Sequence, residues 1–399
     1  MRRFLLFILI TSLFACQPGK IYEENFDEPP RDANWEYEAF SEEARQPDLY
    51  LDSAGPYSGV AVAQEGLLVS PRFELNALQW YRVSFLVLAQ YKAMWGIRFF
   101  SETGERLSAD HYSAIDPAID FQPRFNYFQS KADAAEAAFV LHPPQGREVL
   151  MNQLIVEKAD KEEVREWQQS IMQSVPPVNY QPPAGRFEKL QASLAKLQNG
   201  EKLRVVMLGN SIMNDIGNSG WGLRVEDLYP GSELEVITSV EGGKGAGYYR
   251  EEGRVASYVS RYEPGLVMIG GISQANDTAA VHDVIRQIRE QMEPDPDIML
   301  MSGPMGRQGD PRRNAAFPLQ PSPDGFRRQL AGLADQTNTA YFDLKTAWGE
   351  YLASTNASYD YFLRDELHAN QRGRQVLASI MADYFSPPEA KNANDPATD

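Results

Sequence analysis

The 399-residue chain holds a single cysteine and four histidines. One cysteine excludes a disulfide framework and a cysteine-built zinc site. The histidines, His111, His142, His282 and His368, are scattered and no H-E-x-x-H occurs, so neither a metal nor any other cofactor has support in the sequence. Basic side chains are also scarce: 38 Lys and Arg stand against 55 Asp and Glu, for a formal net charge of −17. That balance excludes nucleic acid as a partner, because phosphate backbones are met by basic stripes. No apolar run is long enough to cross a bilayer. The G-x-S-x-G nucleophile elbow is missing as well. What the chain does have is length for two domains with real cores, and the composition of a globular protein.

It opens MRRFLLFILITSLFAC, two arginines followed by an apolar run from Phe4 to Phe14. A run of that length reads as the h-region of an export signal. Its end, Leu13-Phe14-Ala15-Cys16, resembles a bacterial lipoprotein signal, in which residues 1–15 are removed and lipid is attached to the cysteine thiol. The resemblance implies an exported protein tethered through Cys16, on the periplasmic face or cell surface, with the outer membrane expected. The anchor would be its only tie to a membrane. An ordinary secretory signal followed by an incidental cysteine is the alternative reading. Nothing in the sequence speaks to oligomeric state.

Residues 16–158 read as all-β. In WYRVSFLVLAQ, Tyr81, Val83, Phe85 and Val87 alternate with Arg82 and Ser84, the period of a half-buried strand. MWGIRFFSETGERL and AAFVLHPPQGREVLMNQLIVEK add short strands separated by turn signals, which points to a β-sandwich. This rhythm resembles the jelly rolls of carbohydrate-binding type. Trp80, Tyr91 and Trp95 either stack on sugar rings or fill the core. Residues 159–185 read as a helical and proline-rich linker, and 387–399 as a disordered tail. Between these, 186–386 alternates helical patterns with apolar runs such as LRVVMLG, LEVITSV, GLVMIGG and DIMLMSG. Such alternation predicts α/β architecture, a parallel sheet with helices on both faces in three layers, whose site lies beyond the carboxyl ends of the strands.

At the first of those ends, VVMLGNSIMND delivers Ser211 to the start of a helix. A serine there can be a nucleophile whose own N–H faces an oxyanion, or simply a helix N-cap. Near the end of the domain, RDELHANQRG holds Asp365 and His368 three residues apart. A serine nucleophile needs a base to take its proton and a carboxylate to hold that base, and one short turn supplies both. His282 falls in mid-helix, which leaves His368 as the base.

The order of these motifs resembles the SGNH (GDSL-type) hydrolase superfamily, esterases and lipases on a flavodoxin-like sheet. G-N-S stands where the family usually has G-D-S, and D-E-L-H matches its D-x-x-H. The resemblance covers roughly 185 residues. It implies Ser211 as nucleophile, His368 as base and Asp365 as its orienter. It also implies an oxyanion hole from the N–H groups of Ser211 and of Gly245 in SVEGGKGAGYY. Where the family has G-x-N-D, this chain reads IGGISQAND, so the third donor falls to Ser273 or Gln274. The activity implied is a carboxylic ester hydrolase, and export together with the jelly-roll pattern favours small acyl groups, acetyl first, on a carbohydrate. Trp221, Tyr248 and Tyr249 are candidate sugar contacts. A lipase or short-chain carboxylesterase, a polysaccharide O-acetyltransferase and a non-catalytic carbohydrate-binding lipoprotein are the alternatives.

Overall fold

The computed structural model describes residues 19–26, 34–41, 50–54, 57–272, 276–305, 310, 312 and 325–388. Cys16 and its signal lie outside them, as do Ser273 and Gln274. The chain divides into two compact units. One is the described part of Met1–Glu105 with Ile115–Val164, and the other is Arg106–Ala114 with the described part of Arg165–Asp399. Among the described residues no helix is long and apolar enough to cross a membrane.

The first unit is built of antiparallel strands. Trp80–Ala89 runs between Gln122–Gln129 and Val149–Lys158, and the latter continues the sheet to Tyr57–Ala63 and Tyr50–Ala54. In a second sheet, Glu36–Ala39, Gly66–Val69, Glu136–His142 and Ala93–Phe100 follow in that order. Strand alternation does the sorting: Tyr81, Val83, Phe85 and Val87 are buried while Arg82 and Ser84 are only half-buried. The two sheets meet through aromatic side chains. Phe85 stands edge-on to Trp95 and Phe139, with ring centroids 5.6 and 5.5 Å apart. Trp80 and Trp95 are therefore core residues, not sugar platforms; Tyr91 alone of the three is exposed, beneath the Arg147 guanidinium.

The second unit carries a parallel sheet of β1 (Lys202–Gly209), β2 (Glu233–Val240), β3 (Leu266–Ile269), β4 (Asp297–Met301) and β5 (Ala340–Phe342). Their spatial order is β2-β1-β3-β4-β5 and every neighbouring pair is parallel. Parallel strands covered on both faces are apolar throughout, and all four residues of β3, LVMI, are buried. Besides Lys161–Met172, which begins in the first unit, the helices described are α1 (Gln191–Gln198), α2 (Ser211–Gly217), α3 (Trp221–Leu228), α4 (Ala246–Tyr249), α5 (Arg254–Tyr258), α6 (Thr278–Gln291), α7 (Phe326–Gln336), α8 (Leu344–Ser354) and α9 (Gln371–Tyr384). They form two groups: α9 packs on α2, α3 and α8, whereas α6 packs on α4, α5 and α7. Val205 and Met207 of β1 share one core with Ile216, Trp221 and Val376. Strand order reverses at β1, between β2 and β3, and the crevice at their carboxyl ends is where such sheets hold their ligands.

Two stretches fall elsewhere than the sequence pattern suggested. Arg106–Ala114, read as part of the β domain, groups with the second unit. Asn214 Nδ2 donates to the Asp110 carbonyl at 3.0 Å, and Arg374 lies against the His111 ring and the Tyr112 carbonyl. The proline-rich stretch read as a linker is instead laid onto the second unit. Val175 is buried in its core, the Tyr361 and Tyr351 hydroxyls donate to the Ser174 and Pro176 carbonyls, and the Tyr180 ring lies 5.9 Å from that of Phe342.

Candidate active site

β1 ends in Gly209, and α2 begins two residues later. Glycine is needed there for close approach rather than for a tight left-handed turn: a methyl group at Gly209 would collide with the Gly270 carbonyl oxygen beyond β3. Asn210 is the helix N-cap, its Oδ1 accepting from the Ile212 N–H at 3.0 Å. Its Nδ2 donates to the Gly271 carbonyl, and Gly271 has φ of +64° with the asparagine side chain packed where a Cβ would sit. One side chain thus caps α2 and joins the loops after β1 and β3. Because Asn210 takes the cap, the hydroxyl of half-buried Ser211 is free for other work.

That hydroxyl meets His368. Ser211 Oγ and His368 Nε2 are 2.8 Å apart, and the other ring nitrogen, Nδ1, lies 2.9 and 3.0 Å from the two oxygens of Asp365. The carboxylate requires a proton on Nδ1, which leaves the Nε2 lone pair to accept from Ser211. The turn that carries the pair is tightly made. Asp365 Oδ1 accepts from the backbone N–H groups of Leu367 and His368, both at 2.8 Å, and the Arg364 N–H donates to the His368 carbonyl at 2.9 Å. Partial burial would raise the Asp365 carboxyl, but the His368 hydrogen bond and charge, the Leu367 N–H and the Arg364 guanidinium hold it well below the usual carboxylate range. Asp365 is therefore ionised at neutral pH, as a partner that fixes the histidine tautomer must be.

Behind this line sits a charge cluster that sequence spacing could not reveal. Asp215, Arg364, Arg374 and His111 are all buried. Asp215 receives Arg364 Nη1 at 2.7 and 2.8 Å, Arg374 Nη2 at 2.8 Å and the Ala369 N–H at 3.1 Å. Burial alone would raise Asp215, yet the two guanidiniums bring it below its ordinary value. His111, driven far down by burial and then by Arg374 and Arg364, is neutral.

Of the remaining sequence candidates, Gly245 is buried and N-caps α4 in the loop after β2, the strand beside β1. The loop is braced by Tyr249, whose hydroxyl donates to the Gly209 carbonyl and accepts from the Glu241 N–H. Tyr249 is thus a buried strut, not a sugar contact. Trp221, 0% exposed, is stacked on Phe385 with centroids 5.4 Å apart and is likewise core. Both reach β1: Trp221 Nε1 lies 3.4 Å from Met207 Sδ, and the Tyr249 hydroxyl meets the strand's last carbonyl. Tyr248 is half-buried against Tyr249 and Tyr258, with Arg254 over its ring. His282 is exposed on α6. A cleft of about 1080 Å³ lies next to the Asp365 turn, lined by Asp310, Arg312, Thr355, Asp360, Leu363 and Glu366 among others. Among the described residues no group of His, Cys, Asp and Glu is gathered to hold a metal ion.

No family model matches the chain, and no curated protein matches it. Solved structures do. A two-domain esterase (CEX) active on acetylated mannans, co-crystallised with mannopentaose, is 15% identical with a TM-score of 0.40, over 52% of this chain and 56% of that one. The likeness thus spans little more than half of the mannan esterase. A family two carbohydrate esterase from Cellvibrio japonicus is 9% identical with a TM-score of 0.24, over 82% and 88% of the two chains. LAE5, an alpha/beta hydrolase from the metagenome of Lake Arreo, Spain, is 15% identical with a TM-score of 0.34, over 47% and 97%. At such values the function has to be read from the site's own geometry.

Proposed function

We propose that the chain is a serine ester hydrolase of the SGNH type that removes small acyl groups, acetyl foremost, from a carbohydrate. The observation that carries this reading is the unbroken hydrogen-bonded line Ser211 Oγ–His368 Nε2–His368 Nδ1–Asp365, with an ionised carboxylate at its end. The strand order 2-1-3-4-5 supports the flavodoxin-like assignment. In the first half-reaction His368 takes the Ser211 proton while Oγ adds to the ester carbonyl. As the tetrahedral intermediate collapses, the bond to the sugar oxygen breaks and imidazolium protonates that oxygen, leaving acyl-Ser211 and a free sugar hydroxyl. In the second half, His368 deprotonates a water that releases the carboxylic acid. Asp365 keeps the ring in one tautomer and stabilises its charged form. The N–H groups of Ser211 and Gly245, with Ser273 or Gln274, are the proposed oxyanion donors, each worth about 3 kcal/mol in the transition state.

Export and lipid attachment at Cys16 are part of the same proposal and rest on the N-terminal sequence. The test is release of acid from p-nitrophenyl acetate, p-nitrophenyl octanoate and a panel of acetylated glycans. Acetyl esters are expected to be preferred, and Ser211→Ala to abolish turnover. Activity that survives Ser211→Ala would remove the nucleophile, and preference for octanoate would favour the lipase alternative.

A further inference from the structure

We propose that Asp215 is a positioning residue for this reaction, a clamp that sets the His368 turn against Ser211 from within the same helix. Ser211 and Asp215 are four residues apart on α2, so both project from one side of it, a turn from each other. Ser211 reaches the His368 ring, while Asp215 reaches the two ends of the turn that holds the ring. Arg364, just before Asp365, meets both oxygens of Asp215 through its Nη1, at 2.7 and 2.8 Å. Ala369, just after His368, donates its N–H at 3.1 Å, and the same Nη1 of Arg364 returns to the Ala369 carbonyl at 2.8 Å. The turn is therefore gripped before and after its two functional residues by one carboxylate. Arg374 of α9 adds a third contact at 2.8 Å and fixes the carboxylate against rotation.

Stability alone does not account for this arrangement. Buried ion groups of this kind can be replaced by apolar side chains of similar volume without loss of fold, and often with a gain. An apolar residue at 215 would leave the Ala369 N–H and the Arg364 guanidinium without the partner that registers them to α2. The charges point the same way. Two guanidiniums face one buried carboxylate, and the second anion is Asp365 itself, 3.8 Å from Arg364 Nε. Asp215 thereby shares Arg364 with the orienting carboxylate and restrains where that carboxylate stands. The distance between nucleophile and base is set by one rigid piece of helix rather than by two independent loops.

This inference rests on the ester-hydrolase reading for its kinetic arm but not for its spectroscopic one. The experiment compares wild type, Asp215→Asn and Arg364→Lys by steady-state hydrolysis of p-nitrophenyl acetate, thermal unfolding, and the downfield proton resonance of His368 Nδ1–H without substrate. Arg364→Lys keeps the buried charge count and serves if Asp215→Asn does not fold. A folded variant is expected to lose about 10²-fold in kcat with KM changed by less than about threefold, because misplacement of a base acts on the chemical step. Its Nδ1–H resonance is expected to broaden or vanish. A folded variant with wild-type kcat and an unmoved resonance overturns the proposal, whatever its unfolding temperature. A wild type inactive on every ester would defeat the hydrolase reading, and the resonance would still decide the role of Asp215.

Discussion

The two units bury polar groups in different ways. In the β unit the interior is aromatic: Phe85, Trp95 and Phe139 pack on one another, and the buried Arg98 is answered by a single Glu38 at 2.6 Å. In the α/β unit three buried ionic groups, Asp215, Arg364 and Arg374, meet immediately behind the turn that carries Asp365 and His368, while buried Asp110 pairs with Arg106 and buried Glu226 with Arg165. Desolvating charge is costly, and a packed apolar core reaches the same stability without it. The difference teaches that a cluster of buried charge, as distinct from single buried pairs, marks where geometry must be held, and that apolar packing marks where only the fold must be held.

The largest test of that contrast is Asp365→Asn. It replaces the charge and one of the two oxygens that fix the His368 tautomer, so kcat is expected to fall about 10⁴-fold, far more than the accompanying loss of stability explains. Steady-state kinetics and calorimetry on one preparation check both halves. Phe139→Ala is the converse. It empties an aromatic site in the β core and is expected to cost about 3–5 kcal/mol in denaturant unfolding, with kcat per folded molecule unchanged. An activity loss larger than the folded fraction explains would break the comparison.

Asn210→Asp is smaller and more pointed. The carboxylate can still cap α2, but it cannot donate to the Gly271 carbonyl and would face that oxygen with a charge. The expected cost is about 1–3 kcal/mol, read as a lowered unfolding midpoint. Smaller again is the pH slope set by Asp383, which burial pushes up to about 6 against the pull of Arg224. The folded form binds this proton more tightly than the unfolded chain does, so stability falls as pH rises from about 4 to about 6. Asp365 and Asp215, both shifted down, work the other way, and their contribution is lost only as pH falls below the ordinary carboxylate range. Asp383→Asn is therefore expected to raise the unfolding temperature at pH 7 relative to pH 4, compared with wild type.

How much of this was legible in the sequence follows the range of each interaction. The strands of both units were visible in their periodicity, because burial on one face or two leaves a local pattern. D-E-L-H was visible because Asp365 and His368 sit three residues apart in a turn with its own hydrogen bonds. The cap on α2 falls to Asn210, so Ser211 is not the N-cap. Trp221 and Tyr249 were misread because an aromatic side chain carries no local sign of the sheet it will cover. The Asp215 cluster was out of reach, since it joins residues from 111 to 374 that share no motif.

The central claim is that Ser211 is a nucleophile activated by His368. The most direct measurement is intact-protein and peptide mass spectrometry after exposure to a fluorophosphonate, on wild type, Ser211→Ala and His368→Ala. The account predicts one phosphonyl group on the peptide containing Ser211, none on that peptide in Ser211→Ala, and labelling slowed by orders of magnitude in His368→Ala. Labelling at another residue, or at an equal rate without His368, would contradict it.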